Sequence, residues 1–264
     1  MYQLKKGART LSYIGLDLAW SARNLSGAAT LRGNAEGATL HEQPELLGDL
    51  DAIVAYVARQ AEDGPALVAV DAPLRVPNLT GRRPAEAQLA AIFQRYDAGA
   101  HPANRRLLDR GDGVRGELLV ARLEQLGFQY VAGLDAGASG RLITEVFPHP
   151  AMVALFGLAR TLKYKVRQGR PHALRLTEWQ RYQTYLLGLA NADPPLRGHE
   201  ALLALDVAGL RGAALKRYED QVDALTCAYI ALYGQRWGAA RCRTFGDAEG
   251  GAIFTPVPSA GHRA

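Results

Sequence analysis

The sequence predicts an α/β protein in which helices flank a central mixed β-sheet. Three apolar runs, residues 13–20, 66–70 and 141–147, have the length and composition of buried strands. Segments with helical periodicity lie between and after these runs, and turn residues mark their boundaries. Strands that alternate with helices in this way form a sheet layer covered by helices.

The first part of the chain gives the order three strands, helix, strand. After the first apolar run, residues 26–31 and 38–41 are predicted to form two strands of a meander, because glycine and asparagine separate them. Residues 46–61 place apolar side chains at i, i+3 and i+4, the pattern of an amphipathic helix that Gly64 and Pro65 end. The second apolar run, residues 66–70, follows this helix and is the last strand of the order given above.

The rest of the chain is predicted to be mainly helical. Residues 75–140 are expected to form a helical insertion between the second and third buried strands, within a single domain that spans residues 1–264. The tail from Thr255 contains proline, glycine and serine and is expected to be loose. The predicted helices comprise residues 84–96, 116–126, 151–162, 174–189 and 215–234.

Composition and charge favour a globular protein with an anionic partner. The chain has 264 residues, of which 48% are hydrophobic, and this is enough apolar surface for a continuous core. Its formal net charge of +5 and its pI near 9.3 favour a partner such as nucleic acid.

Cysteine content and hydropathy bear on the location of the protein. Cys227 and Cys242 are too few for a disulfide framework or for a zinc site of their own, so reduced thiols and a cytoplasmic location are expected. Residues 1–16 lack the apolar region of a signal peptide. No run approaches the roughly 20 apolar residues that span a bilayer, so no membrane partner is expected. The sequence leaves the oligomeric state open.

Three acids lie where the buried strands end. Asp17, Asp71 and Glu145 stand within or directly after the apolar runs, although aspartate is depleted in strands and an unpaired buried carboxylate is costly. Ligand sites gather at the carboxyl ends of strands in open α/β sheets, so the three acids indicate one site. Asp17 and Asp71 also have a structural interpretation as turn residues. Trp20 and Phe147, beside two of the acids, are expected to pack in the interior.

Two more acids lie on the last predicted helix. Asp220 and Asp223 are spaced i, i+3 and share a face with Ala224, Cys227 and Ile230, which is the stripe expected to face the core. A helix cap at Asp220 is the structural alternative. Carboxylates that converge in an interior repel one another unless cations neutralise them, and Mg²⁺ or Mn²⁺ suits an all-oxygen site. The sequence therefore predicts a divalent-metal site.

The order of strands and acids resembles the ribonuclease H-like fold, and the Asp220-x-x-Asp223 pair resembles the late-helix acids of RuvC-type resolvases. Four segments, residues 15–20, 70–74, 145–150 and 220–225, are similar to the DUF 429 family, whose members are described as predicted ribonuclease H-like nucleases. The resemblance spans roughly residues 13–256 in matching order.

The resemblance implies a central mixed sheet of the ribonuclease H-like kind and a metal-dependent nuclease activity. It implies that Asp17, Asp71 and Asp220 or Asp223 are metal ligands, with Glu145 as an additional member of the catalytic set. The expected catalytic residues are therefore Asp17, Asp71, Glu145, Asp220 and Asp223, and the expected metal ligands are Asp17, Asp71, Asp220 and Asp223.

A basic stretch follows the third buried strand. Residues 146–177 contain no Asp or Glu but many Arg and Lys, with Tyr164 and His172 among them, so phosphate contacts and base stacking are expected there. A solvated basic face is the alternative. The expected substrate-binding residues, with two arginines of the insertion, are Arg82, Arg83, Lys163, Lys165, Arg167 and Arg170.

Three functions are compatible with these features. The first is a nuclease that hydrolyses phosphodiester bonds of DNA or RNA with Mg²⁺ or Mn²⁺ held by carboxylates. The second, a nucleic-acid-binding or scaffold protein, has the same fold with an inactive site. The third is an actin-like or sugar-kinase-like phosphotransferase, which the chain length and Ala19-Trp20-Ser21 in place of a glycine-rich loop disfavour. Metal-dependent cleavage and ATP turnover distinguish the three.

Overall fold

A mixed β-sheet forms the centre of the computed structural model, which describes residues 10–21 and 23–258. Eight strands belong to this sheet and two more form a separate hairpin within the described part of the chain. In chain order the strands are β1 (Leu11–Asp17), β2 (Ser26–Asn34), β3 (Gly37–Leu40), β4 (Glu45–Leu47), β5 (Ala66–Val70), β6 (Gln129–Tyr130), β7 (Arg141–Glu145), β8 (Leu196–Arg197), β9 (Cys242–Asp247) and β10 (Gly251–Pro256).

The strand order across the sheet is β6-β7-β5-β1-β2-β3-β8, with β4 paired to β2. Strands β1, β5, β7 and β6 are parallel, whereas β2 is antiparallel to β1 and to β3. The register pairs Leu16 with Val70 and Val70 with Glu145. Because parallel strands end at the same edge, the residues that follow β1, β5 and β7 lie side by side.

Helices cover both faces of the sheet. Ile14, Leu16 and Val68 face a core shared with α1 and α4, whereas Tyr13 and Leu67 face the core that contains α8. This alternation is the side-chain period of a strand buried on both faces. The helices are α1 (Leu50–Ala61), α2 (Pro84–Phe93), α3 (Arg105–Leu108), α4 (Arg115–Glu124), α5 (Pro148–Phe156), α6 (His172–Gly188), α7 (Glu200–Leu203) and α8 (Gly212–Trp237).

Helix α8 lies unusually close to β1 and β2. A Cβ atom at Gly15 would stand 2.0 Å from the carbonyl oxygen of Ala224, and a Cβ atom at Gly27 would stand 1.9 Å from that of Asp220. Only glycine allows the helix backbone to approach these strands so closely. This contact fixes how far the α8 acids lie from the sheet and where they lie along it relative to the end of β1.

The structure confirms the predicted mixed α/β architecture and corrects several boundaries. Residues 45–47 are a strand, and the helix after them begins only at Leu50, because the Asp49 side chain accepts a hydrogen bond from the Ala52 amide and caps it. Helix α5 begins at Pro148, earlier than predicted, and ends before Gly157, whose φ of 61° is left-handed.

The predicted loose tail is wrong for the residues that the structure describes. Strands β9 and β10 form a hairpin that packs against α2, and Thr255 is buried within it. Residues 248–250 connect the two strands, so the hairpin lacks the two-residue turn that would have been a strong sequence signal. Residues 1–9 and 259–264, which also entered the sequence-based expectations, lie outside the described residues.

Residues 75–140 contain α2, α3 and α4 and also the short strand β6, which pairs with β7. Helix α4 packs against α1, and α2 packs against the β9–β10 hairpin. None of the described helices has the length and apolar character needed to cross a membrane.

The contact between α8 and the sheet gives a stability prediction. We expect Gly15→Ala to lower the free energy of unfolding by about 2 kcal/mol, because the added methyl forces the backbones of β1 and α8 apart. Urea denaturation measures this change. Gly48→Ala is the matched control, since nothing lies within 4 Å of a Cβ there, and a loss as large as that of Gly15→Ala would contradict the packing argument.

Candidate functional site

Two strands deliver carboxylates to one edge of the sheet. Asp17 is the last residue of β1, and Asp71 directly follows β5. The Asp71 amide donates a hydrogen bond to the Leu16 carbonyl oxygen (2.8 Å), so the pairing of the two strands continues up to the acids. Both side chains are partly exposed. The parallel pairing of β1 and β5 therefore brings together two acids that are 54 positions apart in the sequence.

Helix α8 adds two buried acids beside them. The Asp220 and Asp223 side chains face the sheet, and the residues are 5% and 0% exposed. The Tyr164 and Tyr182 hydroxyls donate to Asp223 Oδ1 (2.7 and 3.3 Å). Asp220 instead forms an ion pair with Lys216 one turn earlier on the same helix. The close approach of α8 thus places two carboxylates next to the strand acids.

Lys165 reaches into this group of carboxylates. Its Nζ lies 2.7 Å from Asp223 Oδ2, an oxygen that otherwise has no hydrogen-bond partner. Burial alone would lower the pKa of Lys165, but the charges of Asp223, Asp17 and Asp71 raise it well above its usual value. The lysine is therefore charged, and it neutralises part of the acidic group.

The ionised forms of Asp17 and Asp71 are disfavoured at this site. Burial raises the pKa of Asp17 well above its usual value and that of Asp71 to about 7. Repulsion by Asp223 adds to both effects, whereas Lys165 opposes them. Lys165 and Lys216 supply two ammonium groups against four carboxylates, so the site attracts further positive charge, protons included.

The acids border a large cavity with a basic wall. The cavity has a volume of about 910 Å³ and is lined by Asp17, Asp71 and Asp220. Trp20, expected to pack in the interior, is 54% exposed at its wall. The basic residues that line the cavity are Arg110, Lys163, Lys165, Arg167, Arg170 and Lys216. A surface of this kind attracts polyanions and steers them toward the acids.

Glu145 is placed differently from the other predicted catalytic acids. Its carboxylate accepts hydrogen bonds from the Arg83 guanidinium and from the Leu74 amide (2.9 Å), and it does not line the cavity. Burial raises its pKa, although Arg83 opposes this shift. Both oxygens are engaged in the interior, so Glu145 ties the end of β7 to the segment after β5.

The expected substrate-binding residues separate into two groups. Lys163, Arg167 and Arg170 line the cavity together with Lys165. The expectation for Arg83 is wrong, because its side chain is 1% exposed and binds Glu86 and Glu145. Arg82 is exposed but is not among the cavity-lining residues.

Several residues of the site have little or no signal in the sequence. The hydroxyls of Tyr164 and Tyr182 that hold Asp223 come from residues 59 and 41 positions away, a distance at which no local pattern applies. His149 lies at the cavity wall, and burial together with Lys165 lowers its pKa to about 3, so it is neutral at physiological pH. The contact of Lys216 with Asp220 does have a sequence signal, because the two residues are four positions apart on one helix.

The donor chemistry of the site fits a divalent cation. Asp17, Asp71 and Asp220 present carboxylate oxygens, the ligands that Mg²⁺ and Mn²⁺ prefer, and Asp223 Oδ2 has only Lys165 beside it. Within residues 10–21 and 23–258, no three His, Cys, Asp or Glu side chains surround a single point as metal ligands. The acids therefore have the right chemistry, but the arrangement described here is compensated by an ammonium group.

The Arg83–Glu145 pair gives a second stability prediction. We expect Glu145→Gln to lower the free energy of unfolding by about 3 kcal/mol, because it removes one of the two buried carboxylates that compensate the Arg83 charge. Arg122→Gln, which breaks the exposed pair with Asp51, is the control and should cost less than about 1 kcal/mol. Unchanged stability in Glu145→Gln, measured by chemical denaturation, would refute the structural role.

The comparisons with known proteins give one match. No curated protein and no solved structure matches the chain significantly. A family model described as "Protein of unknown function (DUF429)" matches residues 15–249, which contain β1, β5, β7 and α8 with all five predicted acids. The chain therefore belongs to the DUF429 family.

Proposed function

We propose that this protein is a metal-dependent nuclease that hydrolyses phosphodiester bonds of DNA or RNA. The observation that carries the proposal is the combination of Asp17, Asp71 and Asp220 with a basic wall in one cavity of about 910 Å³. An acidic centre attracts a divalent cation, and a basic wall attracts a polyanion. A nucleic acid is a substrate that uses both at the same place.

The sheet topology supports a ribonuclease H-like fold for this site. Its central order β3-β2-β1-β5-β7 consists of an antiparallel meander followed by two strands parallel to β1. The acids follow β1 and β5 and lie on the late helix α8, as the resemblance to RuvC-type proteins implies. Fold and acid positions are thus mutually consistent.

Each group in the cavity has a role in the proposed reaction. Asp17, Asp71 and Asp220, with Asp223 behind them, would hold Mg²⁺ or Mn²⁺, which when bound supplies Lewis acidity toward water and the phosphodiester. Arg167 and Arg170 would bind phosphates beside the scissile bond. The exposed ring of Trp20 offers a surface on which a base can stack.

A nucleic-acid-binding protein without catalytic activity is the second candidate. The observation that favours it is the Lys165 ammonium, which partly neutralises the carboxylates. A site of this kind would bind nucleic acid through its basic wall and would not cut it. Cleavage assays separate the two candidates.

The nuclease proposal predicts metal-dependent cleavage that two neutral substitutions abolish. Labelled single-stranded, duplex, hybrid and branched nucleic acids are incubated with Mg²⁺, Mn²⁺ or EDTA. We expect Asp17→Asn and Asp71→Asn to lose at least about a hundredfold in rate, because each removes a carboxylate ligand charge. Asp63→Asn, at an exposed position after α1, should cut like the wild type. Salt-sensitive binding without cutting by any variant would support the binding protein.

The basic wall gives a prediction about affinity. We expect Arg167→Ala with Arg170→Ala to weaken binding of nucleic acids of different sequence to a similar extent. The slope of log K against log [salt] should become shallower by roughly 1 to 2, because up to two phosphate contacts are lost. Fluorescence anisotropy in EDTA measures both quantities. Arg197→Ala, on β8, is the control, and an equal loss in that variant would contradict a localised binding surface.

A further inference from the structure

Lys165 lies in an irregular segment between α5 and α6, and its position is fixed by its neighbours. The Lys163 amide donates to Glu178 Oε2 (2.7 Å), and Arg170 Nη1 donates to the Lys165 carbonyl oxygen (2.7 Å). Tyr164 is fully buried and packs edge-on against Trp179. The segment therefore directs the Lys165 side chain toward the carboxylates.

The ammonium group stands where positive charge is needed most. Its Nζ is 2.7 Å from Asp223 Oδ2, and the charges of Asp17 and Asp71 also act on it. The Lys165 side chain is nevertheless 29% exposed, whereas the Asp223 side chain is completely enclosed. Lys165 thus covers Asp223 on the side that faces the cavity, whereas Asp17, Asp71 and Asp220 line the cavity directly.

Room for a second position of this side chain exists nearby. Lys165 lines the main cavity and also an adjoining cavity of about 490 Å³, whose other walls include Arg175, Arg211 and Glu219. The lysine stem has four methylene groups and is flexible. A swing of the ammonium away from Asp223 therefore does not require the backbone to move.

A divalent cation and an ammonium group cannot share the same carboxylate oxygens, because their charges repel at short distance. We propose that Lys165 is the resident counter-cation of the carboxylate site, and that a divalent cation binds there only by displacing it. This inference rests on the proposed function.

The first test measures Mn²⁺ binding by the full chain. Electron paramagnetic resonance monitors the concentration of the free ion. We expect Lys165→Met to bind Mn²⁺ at least roughly tenfold more tightly than the wild type, since the competing charge is gone. Lys163→Met is the matched control, because it removes the same charge from the same cavity at a residue paired with Asp97. Its affinity should stay within about threefold of the wild type.

The outcomes distinguish this inference from the proposed function. If Lys165→Met and the wild type bind Mn²⁺ with equal affinity, and Asp17→Asn does not bind it, the displacement is overturned. The metal site itself would then still stand. Absence of Mn²⁺ binding in every variant would overturn the metal site itself, and the displacement with it. An equal gain in Lys163→Met would reduce the effect to general electrostatics and would also overturn the specific role of Lys165.

A second measurement is made on the wild-type protein, and a variant is needed only to assign its signals. The chain contains few lysines, so the ¹³Cε signals of selectively labelled wild-type protein are resolvable, and Lys165→Arg serves for assignment. We expect Mg²⁺ to shift the Lys165 signal strongly and the Lys163 signal little. An unchanged Lys165 signal at saturating Mg²⁺ would overturn the displacement. The lysines are Lys5, Lys6, Lys163, Lys165 and Lys216.

Discussion

Charge compensation between buried carboxylates and a cation is the constraint on which the site depends. Burial raises the pKa of Asp17 and Asp71, and the nearby charge of Asp223 raises both further. Such a group is stable with positive charge beside it or with a proton on one of its carboxylates. Lys165 supplies that charge in the structure described here, and the basic wall of the cavity supplies more at longer range. The carboxylates and the basic residues of the cavity are therefore parts of one electrostatic arrangement.

The sheet and α8 bring these charges together by packing alone. Parallel pairing aligns the ends of β1 and β5, and glycine at positions 15 and 27 lets α8 lie directly on the strands. The buried Arg83–Glu145 pair then holds the end of β7 against the segment that follows β5. The strand pairing, the close helix packing and the buried ion pair each fix the position of the backbone. The carboxylates are therefore placed without any contact with one another.

Sequence periodicity predicted the central strands and the long helices, because buried strands and amphipathic helices have strong local patterns. Acids inside apolar runs indicated Asp17 and Asp71 for the same reason, since such placements are costly. The roles of Glu145 and Arg83 were not predictable, because their ion pair joins residues 62 positions apart. The position of Lys165 depends on the path of an irregular segment, and the β9–β10 hairpin depends on packing against α2. Neither leaves a local pattern.

The most direct test of the account is the anomalous scattering of Mn²⁺ in crystals of the wild-type protein grown with that ion. The account predicts a peak within roughly 2.5 Å of carboxylate oxygens of Asp17 and Asp71, with the Lys165 ammonium moved away from Asp223. Crystals at saturating Mn²⁺ with no peak between these acids, and with Lys165 still beside Asp223, would contradict it.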